Sequence, residues 1–173
     1  FKGMKGTLDI AGGTAHIPVM KEAAKRIMTA NPGIRITVAG GGSGVGVQQV
    51  GEGLVQIGNT GRPLKDKEIE KFGLKTFPFA IDGVALVVNP ANNVSDITAQ
   101  QAADIYNGKI TNWKEVGGSD NTIVVVNRDN SSGTYECWKE LVMKDAKVMP
   151  KALTQASNGG VAQNVATNPN AIG

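Results

Sequence analysis

One arrangement recurs along this chain and leaves few folds open: a short β-branched run, a cluster of glycines with a small hydroxyl residue, then apolar residues at helical spacing. Thr7 to Ala11 reads as a strand, followed by Gly12-Gly13-Thr14. Ile17, Met20, Ala24, Ile27 and Met28 then repeat at the helical period. Pro18 falls in the first turn, where a missing N–H costs little, and Asn31-Pro32-Gly33 stops the helix. The unit returns as a strand over Arg35 to Ala39, the glycine run Gly40 to Gly46, and a helix carrying Val47, Val50 and Leu54. A third strand, Val55 to Gly58, ends in Asn59-Thr60-Gly61-Arg62-Pro63 before a short charged helix from Lys65 to Lys71. Such alternation predicts an α/β fold with parallel strands.

Phe77 to Asn89 stays apolar for longer than any earlier run and is broken by Asp82-Gly83. A long strand with a polar break suits a crossing between lobes better than a buried central strand. The reading is therefore a first α/β lobe over residues 1–80, a second over 81–173, and a hinge crossing near 79–88. In the second half, Thr98 with Gln101 three residues later forms a capping box, and Asn107-Gly108 closes that helix. Thr122 to Asn127 is the next strand, and Arg128 to Thr134 leads into a helix with Trp138, Leu141 and Val142 on its buried side. A last helix with Val161 and Val165 follows Ser157-Asn158-Gly159-Gly160. Asn168 to Gly173 reads as a turn leading towards a strand that lies beyond it.

Composition removes several function classes. A chain of 173 residues, 40% hydrophobic and 19% charged, has globular composition and room for one ordinary domain or two small lobes. Aromatic residues are 5%, and a formal charge of +3 without a long basic run argues against a nucleic-acid platform. Apolar stretches such as Val84 to Val88 fall far short of the roughly 20 residues that cross a bilayer. One cysteine, Cys137, excludes an internal disulfide framework; with one histidine, His16, the Cys/His zinc arrangements are excluded too. Neither a metal nor a cofactor is expected. No charged-then-apolar leader precedes Phe1, which fits either no export signal or one already removed.

Three loops share one chemistry: Gly12-Gly13-Thr14, Gly41-Gly42-Ser43-Gly44 and Ser131-Ser132-Gly133-Thr134. A helix start presents unpaired N–H groups and the positive end of the helix dipole, and glycine lets an anion approach the backbone. Taken singly, each loop reads as a simple helix cap. Three together, with Arg128 beside one, point to a tetrahedral oxyanion, for which arginine supplies charge and fork geometry. Familiar nucleotide and hydrolase motifs fail on the residues. Val45 and Val47 stand where the dinucleotide fingerprint needs glycine, Val47 and Gln48 where a P-loop needs Lys and Ser/Thr, and Val45 where a nucleophile elbow needs its last glycine. His16 fits a polar residue in the first turn of a helix, and Cys137 a small buried hydrophobe.

The ordered segments GGTAHIPV from Gly12, GGGSGVG from Gly40, IGNTGRPL from Ile57, DGVALVVN from Asp82, IYNGKITNWKEVGG from Ile105, RDNSSGT from Arg128 and NPNAIG from Asn168 cover nearly the whole chain. In these the sequence resembles the phosphate-binding proteins of bacterial ABC phosphate importers. The resemblance implies a two-lobed type II periplasmic-binding-protein fold. It also implies a phosphate site drawing on Thr14 and the backbone of Ala15, on Ser43, and on Arg128, Ser132, Gly133 and Thr134, with Gly42 and Thr60 as further candidates.

Two departures from that family accompany the resemblance. Some relatives carry an acid after the third strand that accepts the hydrogen of protonated phosphate and rejects sulfate; Gly61 stands there in this chain. Asp82 is the candidate replacement and fits equally a turn residue before Gly83; Arg62 is a candidate to pair with a carboxylate across the cleft. Family members also continue past the Ala171-Ile172-Gly173 segment, so the first lobe is expected to be incomplete, with an open strand edge that favours a dimer. The function expected is a non-enzymatic, periplasmic or cell-surface receptor that captures inorganic phosphate for a membrane permease. The alternatives are an oxyanion-binding sensor or adhesion module, and a serine-based phosphoryl or acyl transferase using Ser43 or Ser132.

Overall fold

The computed structural model describes residue 1 and residues 3–173. The chain forms two compact units, one of residues 1–82 with 131–133 and one of residues 83–130 with 134–173. In the first unit the elements are β1 (Gly6–Gly12), α1 (Ile17–Ala30), β2 (Ile34–Gly41), α2 (Ser43–Gly51), β3 (Ile57–Asn59) and α3 (Asp66–Phe72). Its three strands run parallel in the order β2-β1-β3, with Ile10 opposite Val38 and Gly12 opposite Asn59. Because β1 is central, its last residues are sealed: Ile10 and Ala11 are buried, and Ile10 packs with Ile36 of β2 and Ala24 of α1. Ala24 is the small residue that lets α1 lie close on the sheet, while Ile27 and Met28 pack beside it. The helix stops at Asn31, whose side-chain amide donates to the Ile27 carbonyl at 2.9 Å. Leu54, expected on the buried side of α2, lies beyond that helix's end at Gly51 and is exposed.

The turn after β3 is fixed by an ion pair. Arg62 donates from Nη1 and Nη2 to the two carboxylate oxygens of Glu68 at 2.8 and 2.6 Å, and Glu68 Oε2 also accepts from the Lys65 backbone N–H at 2.8 Å. Arg62 therefore has a carboxylate partner within its own unit, six residues along the chain. Hydrogen bonding to Arg62 holds the Glu68 carboxyl below the ordinary glutamate range, against the opposing effect of burial. A carboxyl that titrates lower when folded contributes stability that is present above its unfolded value, about 4.3, and is lost as pH falls through the folded one. Glu68→Gln is expected to lower unfolding free energy by about 1–2 kcal/mol at pH 7 and to flatten the acid limb of the stability profile. Urea unfolding of both proteins between neutral pH and the acid limb checks this; parallel profiles would contradict it.

Between α3 and α4 the chain does not form the long strand that its apolar pattern suggests. Residues 73–87 have no regular secondary structure, and the first ladder contact is an antiparallel bridge between Val88 and Ile172. Val87 and Gly173 exchange N–H···O bonds of 2.8 and 3.0 Å beside it. The physical reason is that a strand requires a neighbour for its backbone groups. Phe77, Phe79 and Ile81 carry strand periodicity, yet they are 81%, 58% and 102% exposed.

The second unit contains α4 (Ala99–Asn107), β4 (Val124–Arg128), α5 (Gly133–Trp138), β5 (Leu153–Gln155), α6 (Asn158–Thr167) and β6 (Ala171–Ile172). Its parallel sheet has the order β5-β4-β6. Thr98 caps α4 as its sequence suggests: its hydroxyl accepts from the Gln101 N–H at 3.1 Å, and Gln101 Oε1 accepts from the Thr98 N–H at 2.8 Å. The core gathers Ile105, Tyr106, Trp113, Ile123, Val125, Met143 and Ile172. Trp113 sits in a 3-10 turn after Asn112, and its indole N–H donates to the Asn170 carbonyl at 3.0 Å. Tyr106 donates to the Val126 carbonyl at 3.2 Å, and burial pushes its phenol far above the ordinary range.

Three local expectations differ from this unit. After α5 the chain makes a π-helical turn, Lys139–Met143, whose extra residue rotates the buried face so that Met143 enters the core and Leu141 stays exposed. Ala171 and Ile172, read from the sequence as part of a turn, are themselves the fully buried β6. β5 was not foreseen, because three residues with one exposed leucine carry no readable period.

Candidate functional site

The loops that leave the carboxyl ends of β1, β2 and β3 are stitched together by their backbones. Gly13 N–H donates to the Asn59 carbonyl at 2.9 Å, and Gly42 N–H donates to the Gly12 carbonyl at 3.0 Å. In open α/β sheets this end of the strands is where ligands bind. Thr14, Ala15 and His16 form a 3-10 turn that feeds α1. The methyl of Thr14 lies against Gly40, 3.3 Å from where a Cβ on that glycine would stand. Ser43 opens α2 and is buried, and its hydroxyl accepts the Gly61 N–H at 3.0 Å.

A fourth segment, residues 131–133, joins the same unit from far along the chain. Ser131 donates its hydroxyl to the Gly41 carbonyl at 2.8 Å and accepts the Gly44 N–H on its carbonyl at 2.9 Å. This contact explains Gly42, which has φ of 89° and would place a Cβ 2.6 Å from both the Ser131 carbonyl and hydroxyl oxygens. A Cβ on Gly133 would collide with the Ser43 hydroxyl, so only glycine permits the close approach. Ser132 and Gly133 are both buried there.

Thr14, Gly42, Ser43, Ser132 and Gly133 thus gather in one unit, with Ala15 exposed in the adjoining turn. Thr60 closes its own turn, donating to the Arg62 carbonyl at 2.8 Å and accepting the Arg62 N–H at 3.2 Å. Asp82 is exposed in the irregular stretch, the last residue of that unit before the chain enters the second. Beside Ser43, Gly61 leaves room: a Cβ there would lie 3.8 Å from His16 Cε1 and 4.0 Å from Ser43 Oγ, both ordinary contacts. His16 packs edge-on to Phe79 with ring centroids 5.6 Å apart, and its Nδ1 is buried without a hydrogen-bond partner.

Arg128 and Thr134 belong to the second unit, so the single loop from Arg128 to Thr134 supplies residues to both. Arg128 ends β4 and is 6% exposed. Nε donates to the Gln155 carbonyl at 3.1 Å, Nη2 to the Ala156 carbonyl at 3.2 Å, and Nη1 to Asn158 Oδ1. Burial lowers its affinity for a proton, and the Asp129 carboxylate at 3.9 Å works against that effect. Thr134 is half-buried in the first turn of α5. The sequence reading passed over Ser131 as an anchor and Asn158 as a partner of Arg128. Ser157-Asn158-Gly159-Gly160 has the composition of the three anion loops and precedes a helix, which was the available signal.

The first-unit loops offer backbone N–H groups and hydroxyls, and the second unit offers the buried Arg128 guanidinium. Among the described residues no group of three or more His, Cys, Asp or Glu could hold a metal ion. No hydrogen bond joins His16 to Ser43, so that hydroxyl has no imidazole base.

The profile of the PBP superfamily domain matches residues 3–173. The chain is 40% identical over 169 residues to the phosphate-binding protein PstS of Bacillus subtilis, covering 97% of this chain and 56% of that protein. It is 32% identical to PstS of Borreliella burgdorferi, covering 62% of it. The chain thus spans little more than half the length of these curated relatives. Among solved structures it is similar to a putative phosphate ABC transporter substrate-binding protein with bound phosphate from Clostridium perfringens, with a TM-score of 0.90, 38% identity, and 97% of this chain and 69% of that one covered. An ABC-type phosphate transport receptor from Vibrio cholerae is also similar, with a TM-score of 0.71 and 37% identity, covering 97% of this chain and 70% of that one.

Proposed function

We propose that this chain, which belongs to the PBP superfamily and within it to the phosphate-binding proteins of ABC transporters, binds inorganic phosphate outside the cytoplasmic membrane and passes it to a membrane permease. The observation that carries the reading is the joining of four separate segments in the first unit: Gly61 and Gly133 meet Ser43, Gly42 bonds to Gly12, and Ser131 bonds to Gly41 and Gly44. Ser43, Ser132, Thr14 and the glycine-flanked amides supply neutral donors in the first unit, and Arg128 and Thr134 of the second unit are proposed as phosphate ligands as well. Neutral donors in a water-poor site hold an oxyanion strongly because none of them needs to reorganise, and one arginine supplies the net charge. The close relatives named for phosphate binding support the same choice of ion. No helix among the described residues is long and apolar enough to cross a membrane.

Selectivity is the sharpest test of the reading. With glycine at position 61, the first-unit cluster offers donors to phosphate and sulfate alike. The space beside Ser43 accepts a side chain without collision. Gly61→Asp is expected to raise the preference for phosphate over sulfate by about tenfold or more, because a carboxylate accepts a hydrogen from protonated phosphate and repels fully ionised sulfate. Competition titration at neutral pH reads the ratio; an unchanged ratio would show that position 61 does not face the anion. A chromogenic phosphate ester added to the same protein is expected to show no turnover.

A further inference from the structure

Gly61 stands in a turn that is pinned on both sides. Its N–H donates to the Ser43 hydroxyl, Thr60 bonds to the Arg62 N–H and carbonyl, and Arg62 pairs with Glu68. The face of Gly61 where a side chain would stand is nevertheless open. The glycine is exposed, its φ lies outside the left-handed region, and a Cβ on it would find within 4 Å only His16 Cε1 and Ser43 Oγ among the described residues beyond its chain neighbours. Neither packing nor backbone conformation therefore requires glycine at this position. At Gly46, by contrast, a Cβ would lie 2.5 Å from the Asn59 carbonyl oxygen. The two boundaries of the open space differ in chemistry: Ser43 belongs to the anion loops, whereas His16 presents the edge of an aromatic pair with Phe79. Residues 16, 43, 61 and 79 all belong to the first unit.

We infer that this space receives an organic substituent, so that the chain binds phosphate monoesters as well as inorganic phosphate. Near neutral pH a monoester is largely a dianion with three acceptor oxygens. That suits loops built from N–H groups and hydroxyls. Its fourth oxygen carries the substituent, which beside Gly61 lies against the His16 ring edge. An aryl group there gains a contact that a methyl group is too small to make. Binding breaks no bond in the ester. The inference rests on the reading that the loops around Ser43 hold phosphate, and it adds that position 61 faces the bound ion.

The test titrates the full chain with inorganic phosphate, methyl phosphate and phenyl phosphate, and repeats the series for Gly61→Val and His16→Ala. In the native chain phenyl phosphate is expected to bind within about tenfold of inorganic phosphate and to compete with it for one site. Gly61→Val is expected to lower the ratio of phenyl phosphate affinity to inorganic phosphate affinity by at least about tenfold, since its methyl groups occupy the substituent's space. His16→Ala is expected to lower the ratio of phenyl phosphate to methyl phosphate affinity by about threefold or more, as the ring edge is lost. A merely structural role for these positions would weaken all three ligands together, and unchanged ratios overturn the inference. If Gly61→Val does not fold, the His16→Ala ratio decides. Phenyl phosphate bound more than about tenfold more weakly than inorganic phosphate by the native chain overturns this inference alone. A native chain that binds none of the three overturns the functional reading beneath it.

Discussion

Arg128→Ala is expected to bind phosphate at least about a hundredfold more weakly than the native chain, because truncating one partner of a buried, hydrogen-bonded charge pair costs about 2–5 kcal/mol. The side chain is 6% exposed and is oriented by two backbone carbonyls and Asn158 before any ligand arrives. That preorganisation is why the loss is large: ordering the guanidinium is already part of folding and does not weigh on binding. Arg128→Lys restores only part of the affinity, since a lysine ammonium cannot reach the Gln155, Ala156 and Asn158 oxygens with a planar fork. Calorimetric titration of both variants checks this. An alanine variant that binds as tightly as the native chain would remove Arg128 from the site.

The largest stability effect is expected at Trp113. Trp113→Ala is expected to lower unfolding free energy by about 3–5 kcal/mol, through lost apolar burial and the cavity left behind. The indole is 1% exposed at the centre of the second unit's core, among Ile105, Ile123, Val125 and Ile172. Its N–H also satisfies the Asn170 carbonyl, which in turn accepts the Val124 N–H at 2.9 Å and so ties the entry to β6 onto β4. Losing the ring thus loosens the sheet whose central strand ends in Arg128. Urea unfolding followed by circular dichroism measures the change; a loss below about 1 kcal/mol would place Trp113 outside the core.

Much of this architecture is legible in the sequence where local chemistry and tertiary packing agree. β1 and α1 follow from the run Thr7 to Ala11, the apolar spacing from Ile17 to Met28 and the stop at Asn31, and α4 follows from the Thr98 and Gln101 capping box. Legibility ends where a partner distant in the chain decides. Phe77 to Val87 has the apolar alternation of a strand, but backbone pairing within this chain begins only at Val87 and Val88 against the terminal residues. Leu141 was misplaced because a π-helical turn shifts the buried face by one residue, and no periodicity marks that in advance. At the site, the glycine and hydroxyl residues of single loops are readable from composition. The joining of those loops is not, since Gly42 meets Ser131, and Gly133 meets Ser43, across about ninety residues of sequence. Asn158 escaped for the opposite reason: its loop looked like the others but was read as a connector.

The central claim is that the chain binds phosphate through residues that include Ser43 and Arg128, and direct calorimetric titration tests it most simply. The chain is unfolded, freed of any retained anion by dialysis, refolded, and titrated with phosphate and then with sulfate at neutral pH. The account predicts saturable binding of one phosphate per chain, with sulfate competing for the same site because position 61 carries no acid. Absence of any phosphate binding by a chain whose cooperative unfolding shows it to be folded would contradict it.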